Sequence, residues 1–200
     1  MRKIIIYLII VLLACTLPPP PADAGMLQGI CGGGSAAAPA CGEVSTQETQ
    51  DGQADVGVDA TNDRWHVAGN FSGLDGSIKQ ISVYIKRYST ATQTITLSLC
   101  TDNSGNPSST CTAADATLDA STLTTSFAWK TFNIAAGYNV SSANTYWIKL
   151  SASAISATAY VIVGYNAATT GAVKYSSDGS SWGNIDSSAQ IDYKLNTCAP

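Results

Sequence analysis

Residues 80–111 constrain the fold more than any other part of this chain, because two alternating segments are followed there by a turn-rich loop between cysteines. Apolar residues occupy every second position in both segments: Ile81, Val83 and Ile85, then Ile95, Leu97 and Leu99. Side chains alternate between the two faces of a β-strand, so each segment predicts a strand with one apolar face. Two strands cannot bury such a face alone, and the pattern therefore requires a second sheet.

The chain from residue 64 onward continues with short apolar segments separated by turn formers. Turn signals lie at 74–76 and 177–179, and residues 160–165 are apolar almost throughout, which is typical of a central strand. No segment has helical periodicity and no repeat is visible. The pattern predicts an all-β protein of about nine or ten short strands, built as a single antiparallel sandwich or a barrel.

The composition excludes one class of partner. Only 12% of the residues are charged, and the formal net charge is −4. A nucleic-acid-binding surface needs clustered lysines and arginines to neutralise phosphates, and this chain has no such cluster. We therefore expect no nucleic-acid partner.

The N-terminal residues have the pattern of an export signal. Two basic residues precede the apolar stretch 4–14, which prolines at 18–21 end well short of the roughly 20 residues that span a membrane. The Ala-Asp-Ala sequence at 22–24 predicts cleavage before Gly25, so residues 1–24 are interpreted as a signal peptide. The protein is expected to be secreted or displayed at the cell surface.

An alternative export route is open at Cys15. The sequence Leu-Leu-Ala-Cys at 12–15 is similar to a bacterial lipobox, which would place a lipid on Cys15. The prolines that follow would then form a stiff tether. Contact with a membrane is expected only through that lipid.

The other five cysteines suggest disulfides, as is usual in exported chains. Short separations favour the pairs Cys31–Cys41 and Cys100–Cys111. Cys198 is then left over. Three roles stay open for it: it takes the place of Cys31 or Cys41 as a disulfide partner, it fixes the C-terminus, or it bridges to another molecule.

Residues 25–61 are expected to be irregular, and the sandwich is expected to occupy residues 62–197. Four aspartates at positions 51, 55, 59 and 63 recur every four residues, but the glycines between them argue against a helix. A solvated acidic loop is the favoured interpretation. A structural calcium ion is the alternative, without a specific motif, and no other cofactor is expected.

Catalysis has little support in the sequence. His66 is the only histidine, and no nucleophile motif accompanies it. A glycosidase would need two facing carboxylates, but the candidates occur mostly in turn-forming contexts: Asp75, Asp119, Asp178, Asp186 and Asp192. We expect a protein that is not an enzyme.

The aromatic residues provide the main binding hypothesis. Aromatic rings can stack on the apolar face of a sugar while neighbouring polar groups bind its hydroxyls. Trp147 and Phe132 are predicted to be core residues. Tyr175 and Trp182 flank a Ser-Asp-Gly turn that contains Asp178, and these three residues are the predicted ligand site.

An ordered set of segments resembles a known bacterial family. WHVAGNFSGLDGSIKQISVYIKR, ITLSLCTDNSGNPSSTC, FAWKTFNI and AVKYSSDGSSW are similar to the choice-of-anchor R type of surface domain, over residues 62–195. The resemblance implies a jelly-roll-like sandwich on a secreted or surface-attached protein, and it brings no catalytic residues.

These observations predict an extracellular interaction or adhesion module without catalysis, with a glycan or a surface protein as its partner. The alternative is a structural subunit of a surface layer or appendage, in which Cys198 makes contacts between chains. A hydrolase is the least favoured function. The sequence leaves the oligomeric state open.

Overall fold

The computed structural model describes residues 41–59, 63–167 and 169–198. Within these ranges the chain forms fourteen β-strands and one single-turn 3₁₀ helix, Ala120–Thr122. The strands are β1 Cys41–Gln47, β2 Gly52–Val56, β3 His66–Ser72, β4 Gly76–Tyr88, β5 Thr94–Asp102, β6 Pro107–Ala113, β7 Leu118–Asp119, β8 Ala128–Val140, β9 Thr145–Ala152, β10 Tyr160–Asn166, β11 Val173–Ser176, β12 Gly183–Asp186, β13 Gln190–Ile191 and β14 Tyr193–Cys198.

The strands form two seven-stranded sheets. Sheet I has the order β1-β14-β4-β10-β13, with β2 paired to β10 and β8 paired to β4. Sheet II has the order β12-β11-β3-β9-β5-β6, with β7 paired to β5. Each of these strand pairs is antiparallel. The predicted all-β antiparallel sandwich is confirmed, with more strands than the nine or ten expected.

One apolar core takes side chains from the inner faces of both sheets. Ile81, Val83 and Ile85 of β4 are fully buried in it, as are Leu97 and Leu99 of β5. The alternation that predicted these strands is therefore confirmed on both sides of the sandwich. Burying large aliphatic side chains in this way stabilises a fold by about 1.5–3 kcal/mol each.

A smaller apolar cluster lies on the other face of sheet II. Its buried members are Ala68, Cys100 and Trp147, and Trp182 packs against them. Trp147 neighbours the core residue Ile148 along β9, so the two side chains leave the sheet on opposite faces. Trp147 is fully buried as predicted, but it belongs to this second cluster and not to the main core.

Two strands lie within the segment 25–61 that was expected to be irregular. Those strands are β1 and β2, and Ala54 and Val56 of β2 are fully buried in the main core. The expectation is therefore wrong for these strands. The short segment GQADV alternates too briefly to stand out, and it is a strand because β10 supplies its hydrogen-bond partners.

Candidate functional site

The outer face of sheet I carries a cluster of three aromatic rings. Because Val83 and Ile85 point into the core, Tyr84 between them points outward. Trp129 of β8 is its direct register partner, and Phe127 precedes the same strand. The Tyr84 ring centroid lies 5.0 Å from that of Phe127 and 5.1 Å from that of Trp129. All three side chains are half-buried. We call Tyr84, Phe127 and Trp129 the aromatic face.

Two lysines flank the aromatic face. The Nζ atom of Lys86 lies 4.4 Å from the Phe127 ring centroid, and that of Lys194 lies 4.9 Å from the Trp129 ring centroid. These cation–π contacts favour the observed placement of the two rings. Lys194 also lies 2.9 Å from Glu48, and this hydrogen bond raises the pKa of Lys194 and lowers that of Glu48.

Polar side chains continue this surface along the same two strands. Ser82 and Thr131 are register partners whose hydroxyl oxygens lie 2.8 Å apart. One step further, Gln80 Nε2 donates to Asn133 Oδ1 at 3.1 Å. Rings, hydroxyls and amides therefore follow one another on one face of β4 and β8. A flat surface of this mixed type suits a ligand with both apolar faces and hydroxyl groups.

A second aromatic pair lies on the same side of β4. Tyr88 is 49% exposed, and its ring stacks on that of Tyr160 with centroids 4.8 Å apart. Tyr88 follows Tyr84 by four positions of extended strand, a distance of about 13 Å. Lys86 lies between them on the same side of the strand.

Asp192 lies beside the aromatic face and is fully buried. Its backbone carbonyl accepts a hydrogen bond from the Tyr84 amide at 3.3 Å. Neither of its carboxylate oxygens has a hydrogen-bond partner among the residues that the structure describes. Burial, with a smaller contribution from the Asp51 carboxylate, raises the pKa of Asp192 to about 7.

The structure does not bring the predicted ligand residues to one surface. Trp182 packs against the second cluster beyond sheet II, whereas Tyr175 packs against the main core beneath the Arg64 guanidinium. Asp178 is exposed and accepts hydrogen bonds from the amides of Ser180 and Ser181, each at 2.8 Å. These bonds lower its pKa and give it a structural role in the turn.

The other candidate carboxylates stabilise turns as their sequence contexts suggest. Asp75 accepts the Ser142 amide, Asp119 the Ser121 amide and Asp186 the Ser188 amide. The exception is Asp192. Within the described ranges, no three His, Cys, Asp or Glu side chains are grouped so that they could hold a metal ion.

His66 contacts a serine of the neighbouring strand. Its Nδ1 atom lies 2.8 Å from Ser151 Oγ across β3 and β9. Burial lowers the pKa of His66, and Lys149 lowers it further while Asp178 opposes the shift.

A polar cleft of about 470 Å³ lies between the end of β5 and the start of β9, beside Asp102 and Tyr146. Several of its polar groups already take part in hydrogen bonds within the protein. Asp102 accepts from Trp147 Nε1 and from the Gly105 amide, and the Tyr146 hydroxyl accepts from the Ser141 amide. The cleft therefore offers few free groups to a ligand.

The predicted Cys100–Cys111 disulfide is present and joins register partners of β5 and β6. Cys41 and Cys198 are register partners of β1 and β14. Cys15 and Cys31 lie outside the described residues, as does the proposed signal peptide.

No family model matches the chain, and neither a curated protein nor a solved structure matches it. The resemblance to choice-of-anchor domains therefore stays a prediction. In the part of the chain that the structure describes, none of the helices has the length and apolarity needed to cross a bilayer.

Proposed function

We propose that this chain is a non-catalytic interaction module that works outside the cell and binds glycans through the aromatic face. The observation that carries the proposal is the side-by-side placement of Tyr84, Phe127 and Trp129 on an outward sheet face. Half-buried rings are held rigidly, so they lose little entropy when a pyranose ring stacks on them.

The groups around the rings fit an uncharged, hydroxyl-rich partner. The amides of Gln80 and Asn133 and the hydroxyl of Thr131 lie on the same strand faces as the rings. Of the two lysines beside the rings, Lys194 is neutralised by its pairing with Glu43 and Glu48. A strongly charged partner gains little from such a surface, whereas sugar hydroxyls find both donors and acceptors there.

A glycan screen tests this proposal. The chain is produced in an oxidising compartment and applied to a glycan and polysaccharide array, and hits are measured by calorimetry. We expect Trp129→Ala to weaken binding at least tenfold, which corresponds to about 1.4 kcal/mol. Trp182→Ala is the matched control, since it removes an indole on the far side of the sandwich.

The two variants separate the alternatives. Loss of binding in Trp182→Ala with no change in Trp129→Ala would move the site to the turn around Asp178. A folded protein that binds no glycan would contradict the proposal and leave a protein partner as the next candidate. Circular dichroism of each variant shows whether it is folded.

A further inference from the structure

The Asp192 carboxyl group is enclosed by three elements. A Cβ atom added to Gly164 of β10 would lie 2.5 Å from Asp192 Oδ2, 2.8 Å from Gln50 Cγ and 3.4 Å from Tyr84 Cδ1. The carboxyl group therefore lies over the Gly164 backbone, with Gln50 and the Tyr84 ring beside it. An ionised carboxylate without partners is expensive to keep in such a place.

The segment Gln50–Asp51 can be displaced more easily than the strands around it. It connects β1 to β2 and lies in neither strand. Hydrogen bonds within the described residues hold it: Gln50 Nε2 donates to the Gly52 carbonyl at 2.8 Å, the Asp51 amide to the Tyr165 carbonyl at 3.1 Å, and the Ala167 amide to Asp51 Oδ1 at 2.6 Å.

The titratable groups on the surrounding elements do not neutralise Asp192. They are Asp51 on the connection, Tyr84 and Lys86 on β4, Tyr165 on β10, and Lys194 on β14, the strand that follows Asp192. Lys86 lies over Phe127 and Lys194 is paired with two glutamates, while the Asp51 carboxylate repels a second negative charge.

We propose that Asp192 is a proton-dependent latch: its neutral form holds Gln50–Asp51 and the Tyr84 ring in place, and its ionisation loosens both. Tyr84 belongs to the aromatic face, so the latch regulates that face. The effect on glycan binding rests on the proposed function, but the latch itself does not.

The direction of the pH effect follows from the burial. In the unfolded chain Asp192 ionises near its ordinary pKa of 3.8, whereas in the folded protein it keeps its proton to about pH 7. The folded state binds more protons between these values, so stability falls as the pH rises through this range. The contribution is fully present below the unfolded pKa and is lost as the pH rises through the folded one.

Urea unfolding of the full chain between pH 5 and pH 8 tests the latch. We expect the urea midpoint of Asp192→Asn to rise relative to wild type as the pH increases from 5 to about 7, and the difference to level off above pH 7. His66 is present in both proteins and cancels in the difference. Tryptophan fluorescence, with Trp129→Phe to identify the Trp129 signal, should change over the same range in wild type and stay constant in Asp192→Asn.

Asp51→Asn provides a second variant that keeps the acceptor for the Ala167 amide. Removing the Asp51 charge should move the fluorescence transition to lower pH.

A difference in urea midpoint between Asp192→Asn and wild type that does not vary with pH would overturn the proposal. So would a rise in wild-type stability on adding calcium chloride at pH 8 that Asp192→Asn lacks, because Asp192 would then be a cation ligand. If a glycan is found, its affinity should fall between pH 6 and pH 8 in wild type alone.

Discussion

At the scale of single residues, the sequence pattern around Asp192 predicts an exposed side chain, whereas the folded chain buries it. It stands between Ile191 and Tyr193, which are buried in the main core, so alternation directs Asp192 outward. An outward aspartate is normally exposed. Here Gln50, which is distant in the chain, lies beside it, and Gly164 leaves the space that its carboxyl group fills.

The fit between Gly164 and Asp192 makes Gly164→Ala a sharp test. The added methyl group would meet Asp192 Oδ2 at 2.5 Å and would force that carboxyl group or Gln50 aside. Overpacking of this type costs about 1–3 kcal/mol in unfolding free energy. Chemical denaturation at pH 5, where Asp192 is neutral in the folded protein, measures the loss.

Gly42→Ala is the matched control for this change. Gly42 lies in β1, where an added Cβ meets nothing within 4 Å. Its effect should stay within about 0.5 kcal/mol, as for ordinary surface substitutions. Equal losses in the two variants would show that the packing around Asp192 is looser than the distances imply.

At the scale of elements, the Cys100–Cys111 disulfide fastens β6 to β5 at the edge of sheet II. Cys100 is fully buried and is also the register partner of Trp147. The bond therefore reduces the conformational freedom of the unfolded chain. In the folded protein it also joins Cys100 to Cys111, and both belong to the small apolar cluster on the outer face of sheet II.

Replacing both cysteines with alanine should lower the unfolding free energy by about 2–3 kcal/mol, as expected for closing a loop of this length. The change is measured by urea unfolding followed through tryptophan fluorescence. Ser109→Ala, at an exposed position between the two cysteines, is the control and should have little effect. A double variant as stable as wild type would mean that the disulfide adds nothing to the stability of the folded protein.

Sequence patterns predicted the elements whose signals are local. Ile81, Val83 and Ile85 alternate over five residues, and Cys100 and Cys111 are close in the chain, so the strand and the disulfide were both predictable. The aromatic face was not, because Phe127 and Trp129 meet Tyr84 only through the pairing of β4 with β8. Tyr175 and Trp182 are close in the chain but pack against different clusters.

At the scale of the whole molecule, β1 and β14 bring residues 41 and 198 to the same position of one ladder. Directly opposite residues of an antiparallel pair have Cα atoms about 4.5–5.5 Å apart, within the range that a disulfide bridges. From this backbone register we predict that Cys41 pairs with Cys198, and not with Cys31.

Peptide mapping without reduction tests this pairing. We expect one fragment that contains both Cys41 and Cys198, and a monomer on non-reducing gels. A dimer that reduction separates would instead support a bridge between chains through Cys198, and with it the structural-subunit alternative. A Cys41→Ser variant should then leave the dimer intact.

The pairing of β1 with β14 also has a mechanical consequence. A pull on the chain before residue 41, directed away from β14, loads the Cys41–Cys198 position first and then each later pair in turn. The hydrogen bonds of this ladder would open one after another, at a lower force than if they were sheared together. A covalent link between the first pair would carry that force directly into β14, next to β4 and the rings of the aromatic face.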